Sequence, residues 1–483
     1  MKSVIGYVIG ESDTLQATLL LKQSLRVGEY IVLEYLGKKV LGLITSVIVG
    51  SPLFDEKTND IKTIEQIKNM DKVPVYMKAK VKLLLDLNRQ SVPDQPPLPL
   101  TVARMAEEDE LRTFASNGDI EIGTLIGTNV EVRIDANALF RHLAILAATG
   151  AGKSNTVAIL SSRIADLGGT VLIFDYHGEY VNSDMKKMKP IAPIINPLHL
   201  TVDEFAKLAY INERKAHIQF RLLRKTFNEI KNNVREKKIS KTDLTPDTFI
   251  EVFEKKLEDI ADKEHGDYKK RVDEVKDKVE DFIDRYRQMI SFAFDDITQQ
   301  IVKGAINVVD MTEIGDDTAT DAIMSHYLRR ILQSRKDYKN KGRGLEFPII
   351  VTIEEAHVFL SGKTLTKEWA SKIAREGRKF GVGLIIVSQR PRGIDENILS
   401  QMTNKIILRI VEPTDQKYVL EASDNLSQDL VNSLPSLDVG EALIVGNLTR
   451  IPLMVKIDKF EGKLGGGTPK FFTKPENGES WEI

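Results

Sequence analysis

The amino-acid sequence predicts an α/β protein with a largely parallel central sheet, and three features carry this prediction. An apolar run at 142–146 precedes a glycine-rich loop, a helical pattern follows at 155–167, and a second apolar run follows at 170–174. Strand, helix and strand within about 35 residues form a βαβ unit, whose parallel strands are covered by helices on both faces. Four later apolar runs, separated by helical patterns, extend the same core; they lie at 304–310, 347–353, 383–388 and 405–411.

Length and composition limit the number of domains, the kinds of partner and the compartment that we expect for this chain. A chain of 483 residues is too long for one compact core, so we expect roughly two to four domains. The 68 basic and 70 acidic residues leave a net charge of −2, so a nucleic-acid partner would need locally concentrated positive charge. The sequence has no cysteine, which excludes disulfides and Cys-ligated zinc. No secretory signal and no bilayer-spanning apolar stretch is visible, so we expect a cytoplasmic protein without a membrane anchor.

Changes in pattern divide the chain into five segments. Short apolar runs punctuated by Gly28 and Gly37 predict an N-terminal β-barrel. Further on, strand patterns disappear and apolar residues recur at helical spacing, which predicts an inserted helical bundle. The predicted boundaries are 1–90 for the barrel, 91–202 for the first part of the α/β core, 203–298 for the bundle, 299–460 for the second part of the core, and 461–483 for a glycine-rich C-terminal arm.

The loop after the first core strand carries the clearest chemistry. The segment from Ala147 to Ser154 matches the phosphate-binding P-loop, except that Ala147 stands where glycine is usual. Its glycines allow successive N–H groups to face a phosphate, and the next helix presents its positive N-terminal end. Lys153 can bridge the β- and γ-phosphates of ATP, and Ser154 can ligate Mg²⁺. We predict that the nucleotide contacts Ala148, Thr149, Gly150, Ala151, Gly152, Lys153, Ser154 and Asn155.

A second core strand ends in two adjacent carboxylates, Glu354 and Glu355. A P-loop ATPase needs one acid near Mg²⁺ and often a second acid to polarise the attacking water. We predict that Glu354 lies near the metal and that Glu355 is the general base. Asp is usual at the first of these positions, so Glu354 departs from the common pattern. The alternative is a strand end that carries two solvated acids.

Two further segments provide candidate catalytic groups. Gln389 follows another buried strand and could hydrogen-bond the γ-phosphate or the attacking water, or simply end the strand. The basic run around Arg375 and Arg378 exceeds what one ATP already held by Lys153 would need. We predict that one of these arginines, preferably Arg378, reaches the ATP of a neighbouring subunit as an arginine finger. The alternative is a solvated basic helix face.

The strand after the P-loop helix ends in Asp175, followed by a polar turn that contains Glu179. Because parallel strands end at one edge of a sheet, both carboxylates are supporting candidates that could order water around Mg²⁺. An Asx-type turn with a purely local role is the alternative.

Several of these segments together resemble the HerA family of archaeal hexameric DNA translocases, within the wider HerA–FtsK group. The matching segments are Arg141-His142, the P-loop, Asp-Tyr-His-Gly-Glu-Tyr at 175–180, Glu-Glu-Ala-His at 354–357 and Ser-Gln-Arg-Pro at 388–391. The resemblance implies a RecA-like P-loop ATPase core with an N-terminal β-barrel, an inserted helical bundle and a C-terminal arm that braces the neighbour. It also implies a homohexameric ring that uses ATP and Mg²⁺ to move double-stranded DNA, and that works with a NurA-type nuclease in DNA end resection for homologous recombination.

The resemblance also assigns residues. Lys153, Ser154, Glu355, Gln389 and Arg378 fall on matching positions, and Arg141 is a further candidate for contact with nucleotide and for coupling between neighbouring sites. Exposed basic loops follow two of the core strands, and they are the candidate contacts to DNA phosphates. The basic residues concerned are Lys363, Lys367 and Arg392.

Two other functions remain open on the sequence. One is a motor of the same type that moves DNA or protein through a membrane pore during conjugation or secretion. The other is a scaffold whose P-loop binds nucleotide without turnover. Glu355 and Gln389 argue against the scaffold, because binding alone requires neither residue.

Overall fold

The computed structural model describes residues 3–54, 60–68, 73–263, 268–423 and 426–465. They form an N-terminal β-barrel, a large mixed sheet covered by helices, and a helical bundle inserted between two strands of that sheet. This architecture confirms the predicted fold class. Most of the predicted C-terminal arm, from residue 466 onward, lies outside the described residues.

The barrel is closed by six antiparallel strands in the order β1-β2-β5-β4-β3-β6. Small alternating side chains such as Ile5, Val8 and Leu19 fill its interior, as expected for a small barrel. The last barrel strand, β6, lies beyond residue 90, which is the barrel boundary that the sequence predicts. After the proline-rich connector the chain returns to the barrel and forms this strand. The elements are β1 Val4–Ile9, β2 Gln16–Leu21, β3 Tyr30–Tyr35, β4 Lys38–Gly50, α1 Ile61–Lys68, β5 Tyr76–Asp86 and β6 Val102–Met105.

The large sheet has the order β11-β12-β10-β13-β14-β9-β15-β16-β17-β7-β8. Neighbours from β11 to β15 are parallel, and neighbours from β15 to β8 are antiparallel. The strands are β7 Ile120–Leu125, β8 Glu131–Ile134, β9 Leu143–Leu146, β10 Val171–Asp175, β11 Met188–Ile191, β12 Ile306–Asp310, β13 Ile349–Ile353, β14 Val382–Ser388, β15 Asn404–Leu408, β16 Glu441–Val445 and β17 Leu453–Ile457. The parallel strands β9, β10, β13, β14 and β15 are buried along their whole length, as expected for a sheet covered on both faces.

Helices cover this sheet, and four more form the inserted bundle between β11 and β12. The covering helices are α2 Glu108–Ala115, α3 Lys153–Asp166, α8 Asp317–Lys341, α9 Ala356–Phe359, α10 Leu365–Phe380, α11 Glu396–Gln401, α12 Pro413–Glu421 and α13 Gln428–Ser433. The bundle helices are α4 Val202–Leu208, α5 His217–Arg235, α6 Pro246–Asp262 and α7 Val272–Arg285.

The bundle is held together by a cluster of phenylalanines around Phe205. Its ring stacks on Phe227 at a centroid distance of 4.4 Å and meets the edge of Phe282 at 5.4 Å. Polar contacts then join the bundle to α8, since Arg329 donates to the buried carboxylate of Glu204 at 2.9 Å. The bundle is therefore packed against the ATPase core by α4 rather than suspended from it by a linker.

We expect Phe205→Ala to destabilise the bundle by about 3–5 kcal/mol, because it leaves a cavity at the centre of the aromatic cluster. Chemical denaturation followed by amide exchange in the bundle measures the loss. Phe54→Ala, at a barrel position that is 38% exposed, is the control and should change stability by less than about 1 kcal/mol. Equal losses in the two variants would contradict this account of the bundle core.

Candidate nucleotide-hydrolysis site

The P-loop connects the end of β9 to the start of α3. Gly150 and Gly152 adopt positive φ angles of +75° and +108°, a region that favours glycine over residues with a side chain. Two loop N–H groups are already used, because Ala148 donates to the Arg409 carbonyl at 2.8 Å and Ala151 donates to the Ala148 carbonyl at 3.2 Å. The N–H groups of the first turn of α3 have no partner within the helix and point toward the loop.

Lys153 and Ser154 occupy the first turn of α3 and are both half-buried. The side chain of Asn155 has partners elsewhere in the chain, whereas its backbone N–H lies in the first turn of α3, and the contact with nucleotide stays a prediction. The side-chain amide of Asn155 donates to the Asp458 carbonyl at 2.8 Å, and its side-chain oxygen accepts from the Phe460 N–H at 2.8 Å. Asn155 therefore anchors the segment after β17 to the P-loop helix. The sequence could not indicate this, because the two partners are about 300 residues away.

A chain of hydrogen bonds joins the P-loop to the candidate base. The Thr149 hydroxyl donates to Gln389 Oε1 at 2.7 Å, and Gln389 Nε2 donates to Glu355 Oε2 at 3.4 Å. Three strands, β9, β13 and β14, supply these groups, and the strands are adjacent in the sheet. The structure therefore brings together the loop, the acid and the amide that were selected separately from the sequence.

Two histidines contact Glu355, and sequence reasoning missed both. His357 Nδ1 lies 3.1 Å from Glu355 Oε2, and His177 Nε2 lies 3.6 Å from Glu355 Oε1. His357 also lies 3.4 Å from the Ser388 hydroxyl at the end of β14. The only signal in the sequence was the presence of both histidines in the segments that carry the family resemblance.

Glu355 has an unusual backbone and a partly buried charge. Its φ is +43°, a left-handed conformation that is strained for a residue other than glycine. Burial raises the pKa of Glu355, but the hydrogen bond from His357 and the charge of Lys153 outweigh burial and hold the pKa below its usual range. The carboxylate is therefore ionised at neutral pH, as a base must be.

The surroundings of Glu354, unlike those of Glu355, disfavour the charged form of the carboxylate. Glu354 is 6% exposed, and its carboxylate accepts the Tyr176 N–H at 3.3 Å. Burial, followed by the nearby charges of Asp175 and Glu179, raises the pKa of Glu354 well above its usual value. Within the described residues no group of three or more Asp, Glu or His is arranged to hold a metal ion, so the place of Glu354 near a metal stays a prediction.

Asp175 has the local role in a turn that we considered as the alternative to ordering water around Mg²⁺. It is fully buried, and its two carboxylate oxygens accept three backbone N–H groups, from Glu179 at 3.0 Å, Tyr180 at 2.8 Å and Val181 at 2.8 Å. Asp175 therefore shapes the turn after β10. Glu179 is only half-buried and contributes charge near Glu354.

The candidate arginines lie at the other edge of the sheet. Helix α10 begins after the end of β13 and finishes just before the start of β14, so Arg378 lies about 20 Å along the helix axis from Leu365, which begins α10 beside the P-loop edge. Arg141 immediately precedes β9 and lies at the same strand-start edge, against α10. Arg141 and Arg378 are both exposed. Arg141 therefore does not reach the P-loop of its own chain. Arg375 is on the same helix as Arg378 and donates to the Ser371 carbonyl at 3.2 Å.

The candidate DNA contacts differ in their availability. Lys363, in the loop before α10, and Arg392, in the loop after β14, are both exposed at the P-loop edge of the sheet. Lys367 is instead paired with Asp395 at 2.6 Å and donates to the Gly362 carbonyl at 3.1 Å. Lys367 thus joins the two loops, and a phosphate would have to compete with a carboxylate for it.

Similarity to solved structures supports the fold. VirB4 of Thermoanaerobacter pseudethanolicus matches with a TM-score of 0.53 and 17% identity, covering 71% of this chain and 97% of that chain. The plasmid coupling protein TrwB in complex with ADP and Mg²⁺ matches with a TM-score of 0.51 and 14% identity, covering 68% of this chain and 88% of that chain. Within the described residues, no helix is long and apolar enough to cross a membrane.

Curated relatives and family models extend over nearly the whole chain. The DNA double-strand break repair helicase HerA of Sulfolobus acidocaldarius is 53% identical over 489 residues, covering 99% of this chain and 98% of the relative. The protein of the same name from Saccharolobus solfataricus is 54% identical, covering 96% of this chain and 94% of the relative. The HAS barrel domain matches residues 5–89, the central domain of helicase HerA matches 120–331, and the HerA-like C-terminal domain matches 297–458. The resemblance in the sequence is thus confirmed, and the chain belongs to the HerA family.

Proposed function

We propose that this protein is an ATP-driven motor that moves double-stranded DNA as a homohexameric ring. We further propose that it works with a NurA-type nuclease in DNA end resection for homologous recombination. The observation that carries the catalytic part is the hydrogen-bonded chain from Thr149 through Gln389 to Glu355. The DNA part is supported by relatives that are named DNA double-strand break repair helicases.

The residues around the P-loop fit ATP and Mg²⁺. A side chain built at Gly150 would meet no atom within 4 Å, so the loop is uncrowded at this position. The free N–H groups of α3, together with Lys153, offer donors and positive charge to a triphosphate. Ser154 and Glu354 would hold Mg²⁺, which when bound neutralises charge on the phosphate oxygens.

Hydrolysis needs a base, a group that orients water, and positive charge on the phosphates. Glu355 accepts a proton from the attacking water, because its pKa lies below the usual range and it is ionised at neutral pH. Gln389 contacts both Glu355 and the P-loop, so it can orient that water relative to the γ-phosphate. Lys153 would balance charge that develops on the phosphates in the transition state.

The arginines at the strand-start edge support a ring. Neither Arg141 nor Arg378 can serve the site of its own chain, because about 20 Å of α10 and the length of β9 lie between them and the P-loop. In a ring of identical subunits, the strand-start edge of one subunit can face the P-loop edge of the next. Arg378, with Arg141 beside it, would then stabilise the transition state of the neighbour.

The central test measures ATP turnover with and without duplex DNA, together with the mass of the assembly in solution. We expect DNA to stimulate turnover and the mass to equal six chains. A monomer, or turnover that is indifferent to duplex DNA, would overturn the proposal of a DNA-moving ring.

We expect Lys153→Ala to lower ATP turnover at least about a hundredfold, because charge stabilisation in the transition state is lost. Glu355→Gln should lose turnover to a similar extent while still binding ATP, because the amide cannot accept the proton. Lys417→Ala, at a side chain that is 76% exposed, is the control. Turnover assays and equilibrium binding of a fluorescent ATP analogue separate the two effects. Full turnover in Glu355→Gln would show that another group is the base.

For Arg378→Ala, we expect a loss of roughly 10³-fold or more in turnover, as for other arginine fingers. Mixing inactive Arg378→Ala subunits with Lys153→Ala subunits should restore some turnover, because an intact finger can face an intact P-loop in the mixed ring. The assay is turnover as a function of the mixing ratio. Mixtures as inactive as the two parent variants would place Arg378 outside the site of the neighbour.

His357 should position Glu355 rather than react itself. We expect His357→Ala to lower kcat roughly tenfold or more with little change in KM for ATP, because a charge-assisted hydrogen bond to the base is lost. His357→Asn should recover most of the activity, since the Asn amide can donate from nearly the position of Nδ1. Steady-state kinetics on both variants provide the measurement. Equal defects in the two variants would indicate a packing role instead.

A further inference from the structure

The exposed face of α5 carries basic side chains, although the inserted bundle as a whole is rich in both acidic and basic residues. The helix contains five arginines and lysines and one acidic residue, Glu229. Basic and amide side chains recur at helical spacing along its outer face, while Phe220, Leu223, Phe227 and Ile230 point into the bundle. The side chains of this α5 basic face are His217, Arg221, Arg224, Asn228, Asn232 and Arg235.

Helix packing turns Glu229, the acidic residue of α5, away from this face. Glu229 pairs with Lys256 of α6 at 3.0 Å and is thereby directed toward the neighbouring helix. The exposed acids of the bundle lie on α6 and α7 instead, at Glu251, Glu258, Asp259, Asp273, Asp277, Glu280 and Asp281. The bundle sequence mixes acidic and basic residues densely, yet the folded bundle presents a basic face on α5 and most of its exposed acids on α6 and α7.

Two arginines on this face are available to a ligand. Arg224 and Arg235 are exposed. Among the residues that the structure describes, neither guanidinium is within hydrogen-bond or ion-pair distance of a partner, and the charge of Arg235 acts on the adjacent Glu236. Arg221, by contrast, lies over the Tyr268 ring at 5.5 Å, and Lys231 donates to the Leu200 carbonyl at 2.8 Å. Arg224 and Arg235 are about 16 Å apart along the helix axis, which matches the rise of about five base pairs of duplex.

The helix that precedes α5 in the bundle lies near the start of α10, at the P-loop edge of the core. Glu213, just before α5, and Glu368, in the first turn of α10, both lie close to Asp203 of α4; burial and then these two charges raise the pKa of Asp203. Lys363 is in the loop immediately before α10. Asp321 of α8 pairs with Lys207 of α4 and accepts the Leu365 N–H at 2.9 Å, so α4, the helix before α5, lies beside the start of α10.

The composition of the face favours nucleic acid over a protein partner. Arginine and asparagine are common donors to phosphate oxygens. Arginine also anchors protein interfaces, but there the other common anchors are the aromatic residues Trp and Tyr. No large apolar side chain is exposed on α5 in the described structure. A face with donors and positive charge but without an apolar anchor suits the sugar–phosphate backbone, which is uniformly charged and offers only acceptors.

We propose that the α5 basic face, through Arg224 and Arg235, is a second binding surface for the backbone of double-stranded DNA, outside the ATPase site. It would bind without sequence preference and would extend the contact that begins at Lys363. This inference rests on the proposed function, because it takes duplex DNA as the substrate.

The test compares duplex binding by the wild type and by the double variant Arg224→Glu/Arg235→Glu over a series of salt concentrations. Each phosphate contact contributes about 0.9 to the slope of log K against log salt, so the slope should fall by about two. Affinity at about 100 mM salt should fall roughly tenfold or more. Lys255→Glu/Lys263→Glu is the matched control, because it makes the same change in net charge at exposed lysines of α6 and its C-terminal end. The control should bind like the wild type.

Two further measurements separate the possible outcomes. Arg224→Lys/Arg235→Lys keeps the charge and should retain most of the slope, whereas a fold defect would not be rescued in this way. If the wild type does not bind duplex, the proposed function fails and this inference fails with it. If the wild type binds and the glutamate variant has an unchanged slope, only the inference is overturned. A changed assembly mass in that variant would assign the face to contact between subunits and would also overturn it.

Discussion

The common direction of the parallel strands is the constraint on which the rest of this structure depends. From β11 to β15 every neighbouring pair is parallel, so the strands end together at one edge and begin together at the other. The P-loop, Glu355 and Gln389 each follow a strand end and therefore meet. Arg141 and Arg378 each precede a strand and therefore lie at the opposite edge. The proposed catalytic groups are therefore divided between two edges of one sheet, and the proposed ring of subunits would bring the two edges together.

Within the P-loop edge, two adjacent carboxylates acquire different properties from their surroundings. Glu354 is buried next to Asp175 and Glu179, and its pKa is raised. Glu355 turns out of the strand with a positive φ and meets His357 and Gln389, and its pKa is lowered despite burial. The backbone strain at Glu355 costs on the order of 1–3 kcal/mol. It directs the two carboxylates to different neighbours, as the separate roles that we propose for them would require.

The inserted bundle shows how packing can create an electrostatic surface that composition conceals. The whole chain has a net charge of only −2, and the bundle sequence alternates acids and bases densely. Burial of the phenylalanine cluster fixes the rotation of each helix about its axis. That rotation places Glu229 against Lys256 and leaves Arg224 and Arg235 facing outward. A local excess of positive charge therefore arises without any excess in the sequence.

The sequence by itself determined the alternation of strands and helices, the P-loop, and the separate candidacy of Glu355 and Gln389. These features depend on local periodicity and on residue types at short spacing, which can be seen in one dimension. The tertiary structure decided which partners the other side chains have, because those partners come from segments that are distant in the sequence. It committed Asn155 to the backbone of Asp458 and Phe460, used Asp175 to close a turn, paired Lys367 with Asp395, and brought His177 and His357 to Glu355. It also separated Arg141 from the P-loop by the length of a strand, since a residue that precedes a strand and a loop that follows it are close in sequence but lie at opposite edges of the sheet.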